Sequence, residues 1–257
     1  MRLISLNTWG GKKFEELMEF IRRERERTDI FCFQEIFDAA FEIKNTNGYR
    51  ANLLHELSLV LEGFQVLYQP YLQNHNFKEQ TDFPLSFGNA MFVRSTIPIQ
   101  DHGSAKIFHA DTEQITEHVF VRITKTLQYA RLTMGAAPLT VINFHGIWFD
   151  GPKTDQADTR EQSKRVVEFL ATVQPPIIVA GDFNLWPETE SLAMIERTGL
   201  RNLIREYGIS STRPRNFAFD RPFADYVLVS PEIRAQRFAA LLDEISDHLP
   251  LELEFKE

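Results

Sequence analysis

Short apolar runs that each stop at a polar or acidic residue recur along this chain, and they constrain its fold more than any other feature. The runs are Leu3–Leu6, Ile30–Phe33, Phe64–Tyr68, Ala90–Val93, Val119–Ile123, Leu139–Phe144, Ile177–Ala180 and Tyr226–Val229. Most are bounded by Gly, Pro, Asn or Asp, as strands are. Helical patterns lie between some of them. Phe14, Leu17, Met18 and Ile21 share one helical face, and the following RRERER reads as a solvated helix surface because acids alternate with bases. Further helices are predicted over Ala51–Leu61, from about Thr154, and after Pro187. Between Tyr68 and Leu132 strands follow one another without a convincing helix, which predicts antiparallel pairing. Gln73–Phe87 and Asp101–His118 read as long loops.

No repeat, low-complexity tract or Gly/Ser/Pro linker divides the chain, so residues 1–257 read as a single domain, long enough to bury a sizeable core. The net charge of −8 disfavours a basic coat for nucleic acid and a membrane-surface binder. One cysteine, Cys32, excludes a disulfide framework and a Cys-rich zinc site; its apolar setting reads as a buried, inert thiol. No segment has the roughly 20 apolar residues of a membrane span, nor does the N-terminus read as a signal peptide. A cytoplasmic protein with no obligate membrane or protein partner is expected.

Six polar clusters stand at or near the ends of apolar runs. They are Asn7, Glu35, His145, Asp182 with Asn184, Asp225, and Asp247 with His248. Strand ends side by side focus such groups on one point at a sheet's rim. Oxygen ligands of this kind suit Mg²⁺ or Mn²⁺, and imidazole beside carboxylate suits proton transfer. Taken singly, each has a plainer reading: Glu35 as a cap of the following turn, Asn7 and Asp247 as turn residues, Asp182 as a helix N-cap, His145 as a satisfied buried histidine. The ordered combination favours the site.

That ordered series resembles the endonuclease/exonuclease/phosphatase superfamily. The resemblance runs from Asn7 to His248 and is most specific in GDFN at Gly181–Asn184 and SDHLP at Ser246–Pro250. Gln34–Glu35, the N-W-G of Asn7–Gly10 and GNAMFVRS at Gly88–Ser95 support it. The resemblance implies an α/β fold: a four-layer sandwich of two mainly antiparallel sheets packed face to face, with helices outside. It implies divalent-metal-dependent hydrolysis of a phosphodiester by an activated water. Glu35 would then be the main metal ligand, with Asn7 and Asp247 close by. Asp182 and Asn184 would hold the attacking water and the phosphoryl oxygen. His248, oriented by Asp225, would act as base or phosphate-stabilising imidazole. His145 would contact the phosphate or assist the leaving oxygen. Histidine at that position leans towards the deoxyribonuclease, sphingomyelinase and phosphatase branches, since other members carry tyrosine.

The physics agrees with such chemistry. A phosphodiester repels hydroxide, and four carboxylates around one phosphate require a cation. A serine nucleophile finds no G-x-S-x-G, and zinc hydrolysis finds no H-E-x-x-H. The most basic stretch, Arg201–Phe223, suggests that Arg213 and Arg215 contact substrate phosphate and that Phe217 or Phe219 offers a stacking surface; a solvated loop is the competing reading. Asn74, His75, Asn76 and Lys78 form a second candidate for substrate selection. The expected substrate is a phosphodiester such as a short or single-stranded DNA end, cut by a nuclease or DNA-end phosphodiesterase. A small or lipid phosphoester is the alternative, as in sphingomyelinases and inositol phosphatases. A non-catalytic module is disfavoured because the site residues are intact.

Overall fold

A computed structural model describes residues 1–40, 48–76, 79–109, 123–135, 137–148, 151–215 and 222–256. Two six-stranded sheets pack against each other. The first holds β1 (Arg2–Asn7), β2 (Ile30–Asp38), β3 (Phe64–Gln73), β4 (Ser86–Arg94), β11 (Arg234–Ala240) and β12 (Leu251–Lys256), in the order β11-β12-β1-β2-β4-β3. The second holds β5 (Ile99–Phe108), β6 (Lys125–Met134), β7 (Ala137–His145), β8 (Ile177–Asp182), β9 (Arg201–Asn202) and β10 (Asp225–Val229), in the order β5-β6-β7-β8-β10-β9. Only β1–β2 and β7–β8 are parallel pairs among these.

Helices α1 (Phe14–Glu24) and α2 (Leu53–Val60) cover the outer face of the first sheet. There Leu17, Ile21, Leu53 and Leu57 pack on Ile4, Phe31 and Phe33. Across the second sheet lie α3 (Ala157–Leu170) and α4 (Glu190–Glu196), with Val166 and Ile195 in its core, and the short α5 (Leu203–Glu206). Alternation explains the layering. In β1, Leu3 joins the core between the sheets, while Ile4 and Leu6 face the helices. This is the four-layer sandwich expected from the sequence. Many of the 22 phenylalanines fill its core, and Cys32 is fully buried with its thiol pushed far up by that burial.

Several expectations change. Asp101–His118 is not simply a loop, because Ile99–Phe108 forms the edge strand β5, paired with β6. Its sequence hides it: an edge strand with mostly exposed side chains needs few apolar residues. Of the predicted strand Val119–Ile123, residues 119–122 lie outside the described residues, and Ile123 is buried but not in a strand. Pro187 precedes its helix, whose N-cap is Thr189.

RRERER is only partly a solvated surface. Glu24 is buried there and receives Arg2 at 2.7 Å, Arg23 at 2.8 Å and Arg27 at 2.9 Å. Arg2 also holds the buried Glu252, at 2.5 Å, so the network ties α1 to β1 and β12.

Candidate active site

Strand register assembles the site. His145 ends β7 and Asp182 ends β8, directly opposite each other, and Asp225 opens β10 opposite Asp182. One row across the rim of the second sheet therefore carries an imidazole and two carboxylates. Gly181 lets this row form. Its φ is +148°, and a Cβ there would lie 1.9 Å from the Phe144 carbonyl oxygen. Facing the row, the first sheet contributes Asn7 at the end of β1 and Glu35 from β2. The β2–β4 register shifts between Phe33 and Ile36, and Glu35 takes a φ of +60° at this bulge. The bulge re-aims its side chain out of the strand's ordinary alternation.

Asn7 spans the gap between the sheets. Its amide donates to Glu35 Oε1 and to Asp182 Oδ2, both at 3.0 Å, while its oxygen accepts from the Trp9 N–H. His248 Nδ1 lies 2.9 and 2.8 Å from the two oxygens of Asp225, and its Nε2 lies 3.6 Å from Asp182 Oδ2. Thr212 Oγ1 accepts from the Asp225 N–H at 3.3 Å, and Ser246 Oγ donates to the Asn7 carbonyl at 2.7 Å, so loop hydroxyls fix both carriers. Asn184, at φ +53°, donates its N–H to Asp182 Oδ1 at 2.9 Å. Asp247 receives Arg213 at 2.7 Å.

Trp9, Glu35, Lys125, His145, Trp148, Lys153, Asp182, Asn184, Arg213, Asp247 and His248 line one cavity of about 290 Å³. The structure thus brings Asn7, Glu35, His145, Asp182, Asn184, Asp225, Asp247 and His248 together. Arg213 is buried and spends its guanidinium on Asp247, whereas Arg215 is exposed and outside the cavity. Phe217, Phe219 and Lys78 lie outside the described residues. Asn74, His75 and Asn76 belong to a local turn and do not line the cavity.

Sequence reasoning missed Tyr71, Lys125, Lys153 and Trp148. Tyr71 in β3 meets His145 Nδ1 at 2.8 Å through its hydroxyl. Lys153 binds the side-chain oxygen of Asn184. Lys125 is buried, with its ammonium 4.9 Å from the Tyr71 ring centre. Only Trp148, three residues beyond His145, stood near a motif already singled out.

Burial and charge set the proton affinities. Burial, then Asp247, pushes the Glu35 carboxyl up. Burial also raises the Asp225 carboxyl against the opposing pull of His248. Burial acts the same way on Asp182, but His248 and Lys153 outweigh it and hold that carboxyl well below the usual range. For His248, burial and Arg213 push down, yet Asp225, Asp247 and Asp182 prevail and the net shift is upward. Burial, then Lys125, pushes His145 well below its ordinary value. Burial brings Lys125 down to about 8 against the pull of Glu35 and Asp182.

Two observations fit a cation. Glu35 Oε2 is buried and has no hydrogen-bond partner among the described residues. Ligand atoms of Asp182, Asp225 and His248 also lie within 4.8 Å of one another. Because Asp225 already occupies His248 Nδ1, Glu35 is the freer ligand. A hard, oxygen-seeking divalent ion matches its unsatisfied carboxylate.

The sequence profile described as the endonuclease/exonuclease/phosphatase family matches residues 4–248. The chain belongs to this family. It is a family of phosphoesterases. No curated protein sequence matches the chain. Solved structures repeat the family fold at low identity. An endonuclease/exonuclease/phosphatase family protein from Leptotrichia buccalis C-1013-b superposes with a TM-score of 0.73 at 15% identity, covering 100% of both chains. The mannosyl-6-phosphatase of Bacteroides thetaiotaomicron VPI-5482 gives 0.70 at 16%, again over 100% of both. The human Nocturnin catalytic domain with bound sulfate anion gives 0.64 at 17%, covering 100% of this chain and 93% of that one. Among the described residues, no helix of this family member is long and apolar enough to cross a membrane.

Proposed function

We propose that the chain is a divalent-metal-dependent phosphoester hydrolase that acts on a short end or a small substrate. One observation carries this reading: the in-register row His145–Asp182–Asp225 faces Glu35 across a cavity of about 290 Å³. Glu35 would hold Mg²⁺ or Mn²⁺, with Asn7 and Asp247 beside it. When bound, the ion neutralises a phosphoryl oxygen and lowers the cost of the departing oxygen's charge.

The remaining roles fall to protein groups. Asp225 fixes His248 with Nε2 towards the cavity and stabilises its imidazolium, which bonds a phosphoryl oxygen. Asp182, kept ionised by its neighbours, orients the attacking water and takes its proton. Asn184 holds a phosphoryl oxygen. The Glu35 and Asp182 carboxylates, 3.8 and 3.9 Å from His145 Nε2, favour the proton there, and Tyr71, whose phenol burial keeps protonated, is then the donor to Nδ1. That leaves the N–H on Nε2 of His145, aimed at the cavity to bond a phosphoryl or leaving oxygen. Arg213 holds Asp247 in place, and Arg215 is left for more distant substrate groups.

The compact cavity favours a phosphate on a small group, and the structural likeness to a mannosyl-6-phosphatase supports that size. A nucleic-acid end, cut as a nuclease or DNA-end phosphodiesterase would cut it, is the second reading. Trp9 and Trp148 favour it, since both line the cavity and aromatic rings there suit a base.

The test is hydrolysis of p-nitrophenyl phosphate, bis(p-nitrophenyl) phosphate and a short single-stranded DNA in Mg²⁺ or Mn²⁺. Chelator should abolish it, and Glu35→Gln and His248→Ala should each lower it about 10²-fold or more. Full activity in chelator, or undiminished activity in both variants, refutes the mechanism.

A further inference from the structure

Lys125 is the least expected group in the cavity wall. It opens β6, is 1% exposed, and lines the same space as Glu35, Asp182 and His145. Among the described residues its ammonium makes no hydrogen bond or ion pair; its nearest recorded partner is the Tyr71 ring. An ammonium on a buried side chain, open only to a cavity and without a hydrogen-bonding anion, is costly. A chain that keeps one there, facing a cavity, has the means to bind an anion in that cavity.

Charge matching identifies the anion. Arg213 is matched by Asp247 and His248 by Asp225. Lys153 and Lys125 then stand against Glu35 and Asp182. With a divalent cation at Glu35, two positive charges remain over for the substrate. Without Lys125 a single charge would remain. A phosphodiester carries one negative charge, whereas a phosphomonoester above its second ionisation carries two.

We propose that Lys125 is a specificity-determining residue that binds a non-bridging oxygen of a terminal, dianionic phosphate, so that the preferred substrate is a phosphomonoester rather than a diester. This rests on the hydrolase reading above and narrows it. In the reaction, water adds to phosphorus and the ester P–O bond breaks. The alcohol leaves with a proton, and inorganic phosphate remains. The phosphate sits on a small molecule or at the end of a nucleic-acid strand.

Two measurements test it. In the first, p-nitrophenyl phosphate and bis(p-nitrophenyl) phosphate share a leaving group, so intrinsic reactivity cancels when each variant is compared with wild type. Lys125→Met should lower kcat/KM for the monoester about 100-fold and for the diester less than about 5-fold, with Lys125→Arg recovering much of the loss. Equal losses on both esters overturn the proposal.

The second needs no turnover. Calorimetry in saturating Mg²⁺ at about pH 7.5 should show inorganic phosphate binding at least about 10-fold tighter than dimethyl phosphate, and the gap should shrink in Lys125→Met. No gap in the wild-type protein overturns the proposal even if the variant fails to fold. Lys125-dependent phosphate binding without hydrolysis of either ester would sink the hydrolase reading and leave Lys125 only as a phosphate-binding residue. Hydrolysis of both without discrimination by Lys125 would do the reverse. A 5′-phosphorylated oligonucleotide and a sugar phosphate, run side by side, distinguish the two sources.

Discussion

Replacing Tyr71 with Phe removes one oxygen atom and isolates the role of His145. The phenol lies 2.8 Å from His145 Nδ1, and with the proton on Nε2, which its carboxylate neighbours favour, it donates to Nδ1 and holds the ring in that tautomer. Nε2 lies 3.8 Å from Glu35 Oε1 and 3.9 Å from Asp182 Oδ2, so that N–H faces the reacting groups. Without the hydroxyl, the Nε2–H tautomer loses the hydrogen bond to its bare Nδ1 and the ring loses its anchor. A net hydrogen bond of this type is worth about 0.5–1.5 kcal/mol, which converts to a roughly 2- to 13-fold loss in kcat. Packing should survive, because the ring keeps its edge-on contact with Phe87 at 5.6 Å and its place beneath Lys125. The assay is steady-state hydrolysis of a p-nitrophenyl ester, with imidazole ¹⁵N shifts reporting the tautomer. His145→Ala should cost about 10²-fold or more, since the donor itself is gone. A Tyr71→Phe enzyme as impaired as His145→Ala, or one whose ¹⁵N shifts and rate are both unchanged, refutes the tautomer argument.

Three further outcomes are expected. Asp225→Asn should lower kcat by about 10²-fold or more while leaving thermal stability near wild type, because the amide presents the wrong partner to His248 Nδ1; unchanged kcat speaks against Asp225 as the orienting group. Gly181→Ala should cost about 3 kcal/mol or more, roughly 6–12 °C in Tm, since its Cβ would collide with backbone; a Tm within 2 °C or so of wild type contradicts the crowding. Glu24→Gln should be destabilising by about 3 kcal/mol at pH 7. Burial opposes ionisation of Glu24, but Arg23, Arg27 and Arg2 prevail and bring it to about 2, below its ordinary 4.5. That stabilisation is fully present above about pH 4.5 and is lost as pH falls towards 2, so the denaturation curves of wild type and variant should converge over that window; a difference independent of pH refutes it.

Much of this site was legible because strands end where their apolar runs end. Asn7, His145 and Asp182 each follow a mainly apolar segment, and Asp225 precedes one, so their ordered combination marked them as rim residues. Glu35 was found by its neighbours, although nothing local announced the bulge and positive φ that aim it. Lys125 was invisible for a physical reason. It is one of 28 cationic residues, and its burial arises from Phe108 of β5 beside it and Tyr71 of β3 against it rather than from any pattern in its own strand. Tyr71 is similar: its partner His145 lies 74 residues away, across the sandwich. Edge strand β5 escaped because its exposed faces carry polar residues, and the buried Glu24 because its arginine partners also look like surface charge.

The row on one sheet and Glu35 on the other are joined chiefly by the Asn7 amide. Anything that binds both halves acts as a rivet through the two layers, and its affinity is added to the resistance of the whole chain to unfolding. An ion or phosphate present at 100 times its dissociation constant should raise stability by about 2.7 kcal/mol, roughly 5–11 °C in Tm. Heat resistance thereby becomes a gauge of occupancy, so that candidate metals and phosphorylated compounds can be ranked by melting before a single reaction product has been detected.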